Sequence, residues 1–300
     1  MRSFIIKSLL FILPFFVLLI IGECVARISP NEYKYKEEWM REHGNEVHTL
    51  VFGSSHGFYG ISPKYLGNDA FSLANVSQTI VYDDYLLRRY QHRNLKNIII
   101  PISYFTMITG DLENGAEWYR AIFYKLYMGY PKHSNFSIYN FEIASFQSYK
   151  AKIASFFEKS QPKYDEKGWG TSYTLDKKDK DNWDKSISVE AARRHTKDDF
   201  SRLSQNYNYL KSMARYCKNN GIRMILVTTP VWKSYYIHLE KKQLKVMSSS
   251  IKKLVDEENV EYHNYFCDKR FVEDDFYDGD HLSDVGAKKF SKILRRELNL

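Results

Sequence analysis

Three cysteines, seven prolines and fourteen glycines in 300 residues leave several classes of protein out at once. Cys24, Cys217 and Cys267 are too few to staple a disulfide scaffold and say little about redox compartment. So little proline and glycine excludes a collagen-like or low-complexity linker chain. No internal repeat appears. The basic excess is modest, 44 Lys and Arg against 36 Asp and Glu, and it is spread along the chain. No zinc, helix-turn-helix or RNA-binding signature accompanies it, so nucleic-acid binding is not expected. What the chain does have is 44% hydrophobic and 27% charged residues, the mixture of an ordinary folded protein with a buried core. Its length suits one large domain or two of average size.

Charge is also missing from one long run, between Lys7 and Glu23. Residues 8–25 read SLLFILPFFVLLIIGECV, and with Phe4, Ile5 and Ile6 they supply the ~20 apolar residues that cross a ~30 Å hydrocarbon layer. Lys7 can snorkel to the headgroups, and Pro14 is tolerated inside a spanning helix. A cleaved signal peptide is the competing reading. No small-x-small cleavage site follows the run, and Glu23 stands where a lipoprotein signal before Cys24 needs a small residue. Residues 1–29 therefore read as an uncleaved single-pass anchor. Arg2 and Lys7 favour a cytoplasmic N-terminus, with the rest of the chain outside the cytoplasm. Polar residues 30–46 follow as a short membrane-proximal connector or helix.

From His48 onward, short apolar runs alternate with helical patterns. HTLVFG, AFSLAN (70–75) and NIIIPIS (97–103) read as strands, with a brief helix expected at Ser62-Pro63 and a longer one over 78–91. Later, 200–221 reads as a helix, IRMILVTTP as a strand, 239–259 as a helix, VEYHNYF as a strand and 284–298 as the closing helix. The alternation predicts an α/β domain over 47–300, a flavodoxin-like three-layer α/β/α sandwich around a parallel sheet. Between about 104 and 199 the alternation lapses into aromatic, mixed-charge sequence, read as an insertion that caps the sheet edge or packs beside it. The KKDKDNWDK run within it reads as a solvated loop.

Two segments carry chemistry. Gly53-Ser54-Ser55-His56 ends the first strand, and glycine there permits a sharp turn that exposes a serine for nucleophilic attack. Near the other end, Asp278 and His281 stand three apart before a helix, so that the carboxylate can hold one imidazole nitrogen and leave the other as a base. Ser283 and Asp284 suit the cap and first turn of that helix.

Together the Gly-x-Ser and Asp-x-x-His segments resemble the first and last blocks of the SGNH, or GDSL-type, hydrolases. The resemblance covers roughly 47–104 and 200–298 and implies that fold, with Ser55 as nucleophile, His281 as base and Asp278 as orienting acid. His56 replaces an apolar residue of the pattern and has no assigned role. The middle blocks depart from it. Ser77 in Leu73–Gln78 stands where a glycine is expected, and Ser103-Tyr104 replaces Gly-x-Asn-Asp. Asn75, with Ser77 and Gln78 beside it, is the candidate oxyanion or substrate contact, alongside the Ser55 N–H. The anchor, GSS turn, AN-x-SQ segment, Thr228–Pro230 strand end and DGDHLSDVGA ending are similar to a membrane-anchored branch related to alginate O-acetylation and teichoic acid D-alanine transfer proteins. That likeness implies acyl-group handling on a cell-surface glycopolymer of a bacterial envelope, in the periplasm or at the cell surface, with the glycopolymer or an acylated donor and a membrane-bound acyltransferase as partners; no cofactor is expected.

Whether such an enzyme would be an esterase or an O-acyltransferase stays open. An inactive SGNH-like scaffold is the alternative. A divalent-metal cluster of Asp274, Asp275, Asp278, Asp280 and His281 is a lesser rival, because no second ligand group with metal-like spacing accompanies it. Trp118, Trp169 and Trp183 are candidate faces for sugar rings, or simply packing.

Overall fold

The computed structural model describes residues 1–134, 137–158 and 160–300. In chain order the helices and strands are α1 (Arg2–Ile28), α2 (Glu32–His43), β1 (Thr49–Val51), α3 (Ser55–Gly60), β2 (Ala70–Ser72), α4 (Ile80–Arg89), β3 (Asn97–Pro101), α5 (Arg120–Leu126), α6 (Phe146–Glu158), α7 (Ser186–His195), α8 (Leu203–Asn219), β4 (Arg223–Thr228), α9 (Lys233–Tyr236), α10 (Lys241–Glu258), β5 (Glu261–Asn264) and α11 (Asp284–Glu297). Two compact units result: 1–37 with 113–162, and 38–112 with 163–300. The aromatic excursion of the sequence is thus divided, its middle joining the N-terminal helix and its later part joining the sheet.

In the first unit, α1 contains an apolar window of mean hydropathy 2.8 with none of it buried, long and apolar enough to cross a membrane. Its last turns are tied to the segment before α6. The Glu23 carboxylate accepts the N–H groups of Glu142 and Ile143, each at 3.0 Å, and pairs with Arg27 at 2.8 Å. Glu142 itself is fully buried, where it pairs with Lys152 and accepts the Tyr127 hydroxyl, as a buried carboxylate must if it is to stay in place.

The second unit holds a five-stranded sheet of order β2-β1-β3-β4-β5, every neighbouring pair parallel. This is the flavodoxin-like order, in which the chain's progress reverses between β1 and β3. Alternation along the strands sends Val51, Ile99, Ile225 and Val227 to one face, where they meet Phe290, Ile293 and Leu294 of α11 in one core cluster. Fully burying each such side chain stabilises the fold by roughly 1.5–3 kcal/mol. Buried Leu210, Met213 and Cys217 mark the inner side of α8, which packs beside α4 and α10. The five strands and α4, α8, α10 and α11 fall where the sequence puts them, whereas α5, α6 and α7 form within the stretch read as an insertion. Ser62-Pro63 starts only a short 3-10 turn, Pro63–Tyr65, and the helix in this region is instead α3, which begins on Ser55.

Candidate active site

Ser55 follows β1 at the reversal point of the sheet, where open α/β sheets leave a crevice beyond their strand ends. Three backbone features fix it. Gly53 has φ +97, in the left-handed region that favours glycine, and its N–H donates to Asp83 Oδ1 at 2.9 Å. The Ser54 carbonyl accepts the N–H groups of Gly57 and Phe58. Gly57 lets α3 lie against the strand end, since a Cβ there would stand 2.3 Å from the Phe52 carbonyl oxygen.

His281 arrives from the other end of the unit on a tight loop, closed by the Tyr277 N–H donating to the His281 carbonyl and by a bridge between Phe276 and Leu282. The Trp232 N–H, just after β4, donates to the Gly279 carbonyl at 2.8 Å and holds the loop to the sheet. Asp278 Oδ1 accepts the N–H groups of Asp280 and His281, both at 2.8 Å, and its two oxygens lie 3.1 and 3.2 Å from His281 Nδ1. With the proton on Nδ1 held there, Nε2 is left as the acceptor. It lies 2.9 Å from Ser55 Oγ. Two side chains 226 positions apart in sequence thus meet with the spacing of a hydroxyl and its base.

Behind His281 lies a second layer whose role the sequence did not reveal. The His56 ring stacks on the His281 ring, with centroids 4.9 Å apart. His56 Nε2 donates to Asp280 Oδ1 at 3.1 Å, which leaves Nδ1 to accept the Ser103 hydroxyl at 2.8 Å. Asp280 is buried, and its other oxygen lies 3.4 Å from His195 Nδ1 and 3.8 Å from His281 Nδ1. His195 Nδ1 is also 2.9 Å from the Tyr235 hydroxyl. Burial opposes a charge on His281, but the Asp278 and Asp280 carboxylates outweigh it and push the imidazole up to about 9. At His195 burial wins and pulls the imidazole down to about 4. Burial also works against ionisation of Asp280, but the surrounding His56, His195 and His281 hold its carboxyl below the usual range.

The opposite wall is aromatic. Tyr59, Tyr173 and Tyr277 form a continuous stack, with centroids 3.9 and 4.2 Å apart, and Tyr173 sets its edge against His281 at 5.1 Å. Neither the tyrosine stack nor the approach of His195 has a periodic or spacing signal in the sequence.

The second-block residues lie beside the Gly53 turn. Asn75 is fully buried, its amide donating to the Leu73 carbonyl at 3.4 Å and to Gln78 Oε1 at 3.2 Å. Gln78 Nε2 donates in turn to Asp83 Oδ1 at 2.6 Å, next to the bond from Gly53. Burial raises the Asp83 carboxyl to about 7. Asn75 does not cap the next helix, whose N-cap is Thr79. Ser77 takes φ +59, the left-handed conformation that a glycine at its position would adopt without strain.

The acidic run does not converge on one point. Asp275 Oδ2 is occupied by Lys289 and the Val272 N–H, whereas Asp278 and Asp280 face the histidines. Among the described residues, the candidate ligand atoms of His56, Asp280 and His281 lie within 4.8 Å of one another, a closeness accounted for by the His56–Asp280 hydrogen bond, the 3.8 Å approach of His281 to Asp280 and the stacking of the two rings. Trp183 belongs to the hydrophobic core with the Lys178 ammonium over its ring, so it offers no sugar face; the KKDKDNWDK run is pinned at these two residues while 179–182 between them are exposed. Trp169 donates to the Tyr59 carbonyl, and Trp118 lies in the first unit.

No protein-family model matches the sequence, and no curated protein sequence does. Among solved structures the chain is similar to a "putative platelet activating factor" from Streptococcus pneumonia, at 12% identity over 96% of this chain and 98% of that one, with a TM-score of 0.45. It is also similar to a GDSL-like lipase from Bacteroides thetaiotaomicron, at 12% identity over 90% and 98% with a TM-score of 0.40. A third likeness is to a "putative acylhydrolase" from Bacteroides fragilis, at 11% identity over 88% and 95% with a TM-score of 0.39.

Proposed function

We propose that the protein is a membrane-anchored serine acyl-transfer enzyme of the SGNH type, an O-acyltransferase or esterase whose α/β unit works outside the cytoplasm on a cell-surface glycopolymer. The observation that carries this reading is the contact of Ser55 Oγ with His281 Nε2 at 2.9 Å while Asp278 engages Nδ1. His281 removes the hydroxyl proton as Ser55 Oγ attacks the carbonyl carbon of an acyl ester. The Ser55 N–H, at the first position of α3 where no intrahelical acceptor exists, and the Asn75 amide are the proposed donors to the oxyanion. Collapse of the tetrahedral intermediate expels the donor alcohol, which takes the proton from His281, and leaves an acyl ester on Ser55. A sugar hydroxyl or water, deprotonated by His281, then attacks that ester; the bond between the acyl carbon and Ser55 Oγ breaks, and His281 returns the proton to Ser55 Oγ. The tyrosine stack beside His281 supplies a flat, hydroxyl-edged wall suited to a pyranose acceptor. The acylated donor would come from a membrane-bound acyltransferase.

One observation favours the alternative, a catalytically inactive scaffold for such an acyltransferase: the Asn75 amide is already engaged by Leu73 and Gln78. A fluorophosphonate probe separates the two. The enzyme reading expects covalent labelling at Ser55, lost in Ser55→Ala and in His281→Ala, and a fall in acyl transfer of roughly 10⁴-fold or more in Ser55→Ala. Absence of labelling, with surface glycan acylation unchanged in Ser55→Ala by mass spectrometry, would leave the scaffold.

A further inference from the structure

The first unit exposes more large apolar surface than α1 alone requires. Ile138, Phe141, Phe146, Phe156 and Phe157 are 57%, 50%, 73%, 38% and 73% exposed. On α6, Phe146, Ile153 and Phe157 are spaced by seven and four residues and so share one stripe, with the exposed Lys150 at its margin. Water-facing surfaces seldom gather aromatic residues in this way.

Its place along α1 identifies what covers it. Phe4 to Gly22 rises about 27 Å, close to the thickness of the hydrocarbon layer, so Gly22 marks the boundary and Glu23 and Arg27 the headgroup level. The α6 helix packs at that height. A Cβ on Gly22 would lie 1.7 Å from the Tyr149 hydroxyl, Ser29 Oγ donates to the Lys152 carbonyl, and Glu23 holds the two N–H groups that precede α6. We propose that α6, with the Ile138–Phe141 segment, is a second membrane contact, lying in the interfacial layer of the leaflet that α1 leaves. Phe146, Ile153 and Phe157 enter the acyl-chain boundary, and Lys150 and the half-exposed Arg27 meet anionic headgroups. This inference rests on reading α1 as a retained anchor.

The test uses the full-length chain in vesicles of phosphatidylethanolamine and phosphatidylglycerol, with exposed Cys24 and Cys267 changed to serine. A bimane label is placed in turn at Phe146→Cys, Phe157→Cys and, on the exposed side of α10, Lys252→Cys. Lipids carrying a nitroxide high on the acyl chain are expected to quench the labels at 146 and 157 at least twofold more than the label at 252, with a blue-shifted emission. Quenching no stronger than at 252 overturns the proposal. So does disulfide cross-linking between copies through position 157 without lipid quenching, which would assign the stripe to a dimer. The intact mass of the membrane-extracted protein is read separately, because loss of residues 1–28 would remove the anchor and not merely the second contact.

Discussion

At His281 two effects of opposite sign meet, and their balance sets the pH at which the imidazole can act as a base. Burial disfavours the imidazolium, while Asp278 and Asp280 favour it more strongly, so the ring is protonated up to about 9. A general base must be neutral, so the rate of probe labelling at Ser55 should climb with pH toward that value. Asp280→Asn keeps an oxygen for His56 but removes a charge, and the midpoint should fall by about one pH unit. Labelling rates from pH 6 to 10 check this; a lower plateau with an unmoved midpoint would mean that Asp280 only holds the loop together. Ser55, Asp278 and His281 were legible in the sequence because each lies in a short segment punctuated by glycine beside a strand or helix end. His56 was visible as a polar residue without a role and Asp280 only as a member of the rival metal cluster, since their partners Ser103 and His195 come from elsewhere in the chain. Tyr173 lies in sequence with no period, where tertiary packing alone decides position.

Among the elements, α3 positions Ser55 and is one that the sequence hid. Six residues are too few to show a helical period, so the capping pair Ser62-Pro63 drew the helix prediction several residues too late. The signal that was present is Gly57. An alanine Cβ there would lie 2.3 Å from the Phe52 carbonyl oxygen and 3.0 Å from Ala74 Cβ, so α3 would have to move off the strand end. Gly57→Ala should cost about 1–3 kcal/mol and slow labelling at Ser55 by about 10²-fold, the scale associated with a ~1 Å displacement of reacting groups. Gly60→Ala is the matched control, because its Cβ meets only Leu282 Cδ1 at 3.9 Å, an ordinary contact. Equal losses in the two variants, by chemical denaturation and labelling, would mean that helix shape and not close approach is at stake. The β strands and α8, α10 and α11 were legible for the opposite reason: each is an apolar run or an amphipathic stripe with a clear stop.

At the scale of the whole molecule, the reversal between β1 and β3 brings the GSS turn and Ser103 to neighbouring strand ends, and the loop before α11 closes over them. All the groups whose protonation couples to His281 therefore lie in one unit, and their titration is a property of its folding. His281 has a folded value raised from ~6.5 to about 9, so its stabilising contribution is complete below pH ~6.5 and is lost as pH rises through 9. At ~1.4 kcal/mol per unit this amounts to about 3 kcal/mol. Asp83, raised to about 7, removes stability between pH ~4 and 7, while His195, lowered to about 4, restores it between 4 and ~6.5. Their slopes oppose each other on the acid side and fade above pH 7, which leaves His281 to dominate the alkaline limb to pH 9. Urea unfolding followed through buried Trp183 should show stability falling from pH 7 to 9 in the wild type, and a markedly flatter profile in His281→Gln. Parallel slopes in the two proteins would show that the imidazole is not held protonated by Asp278 and Asp280, and the predicted alkaline activation of Ser55 would fail with it.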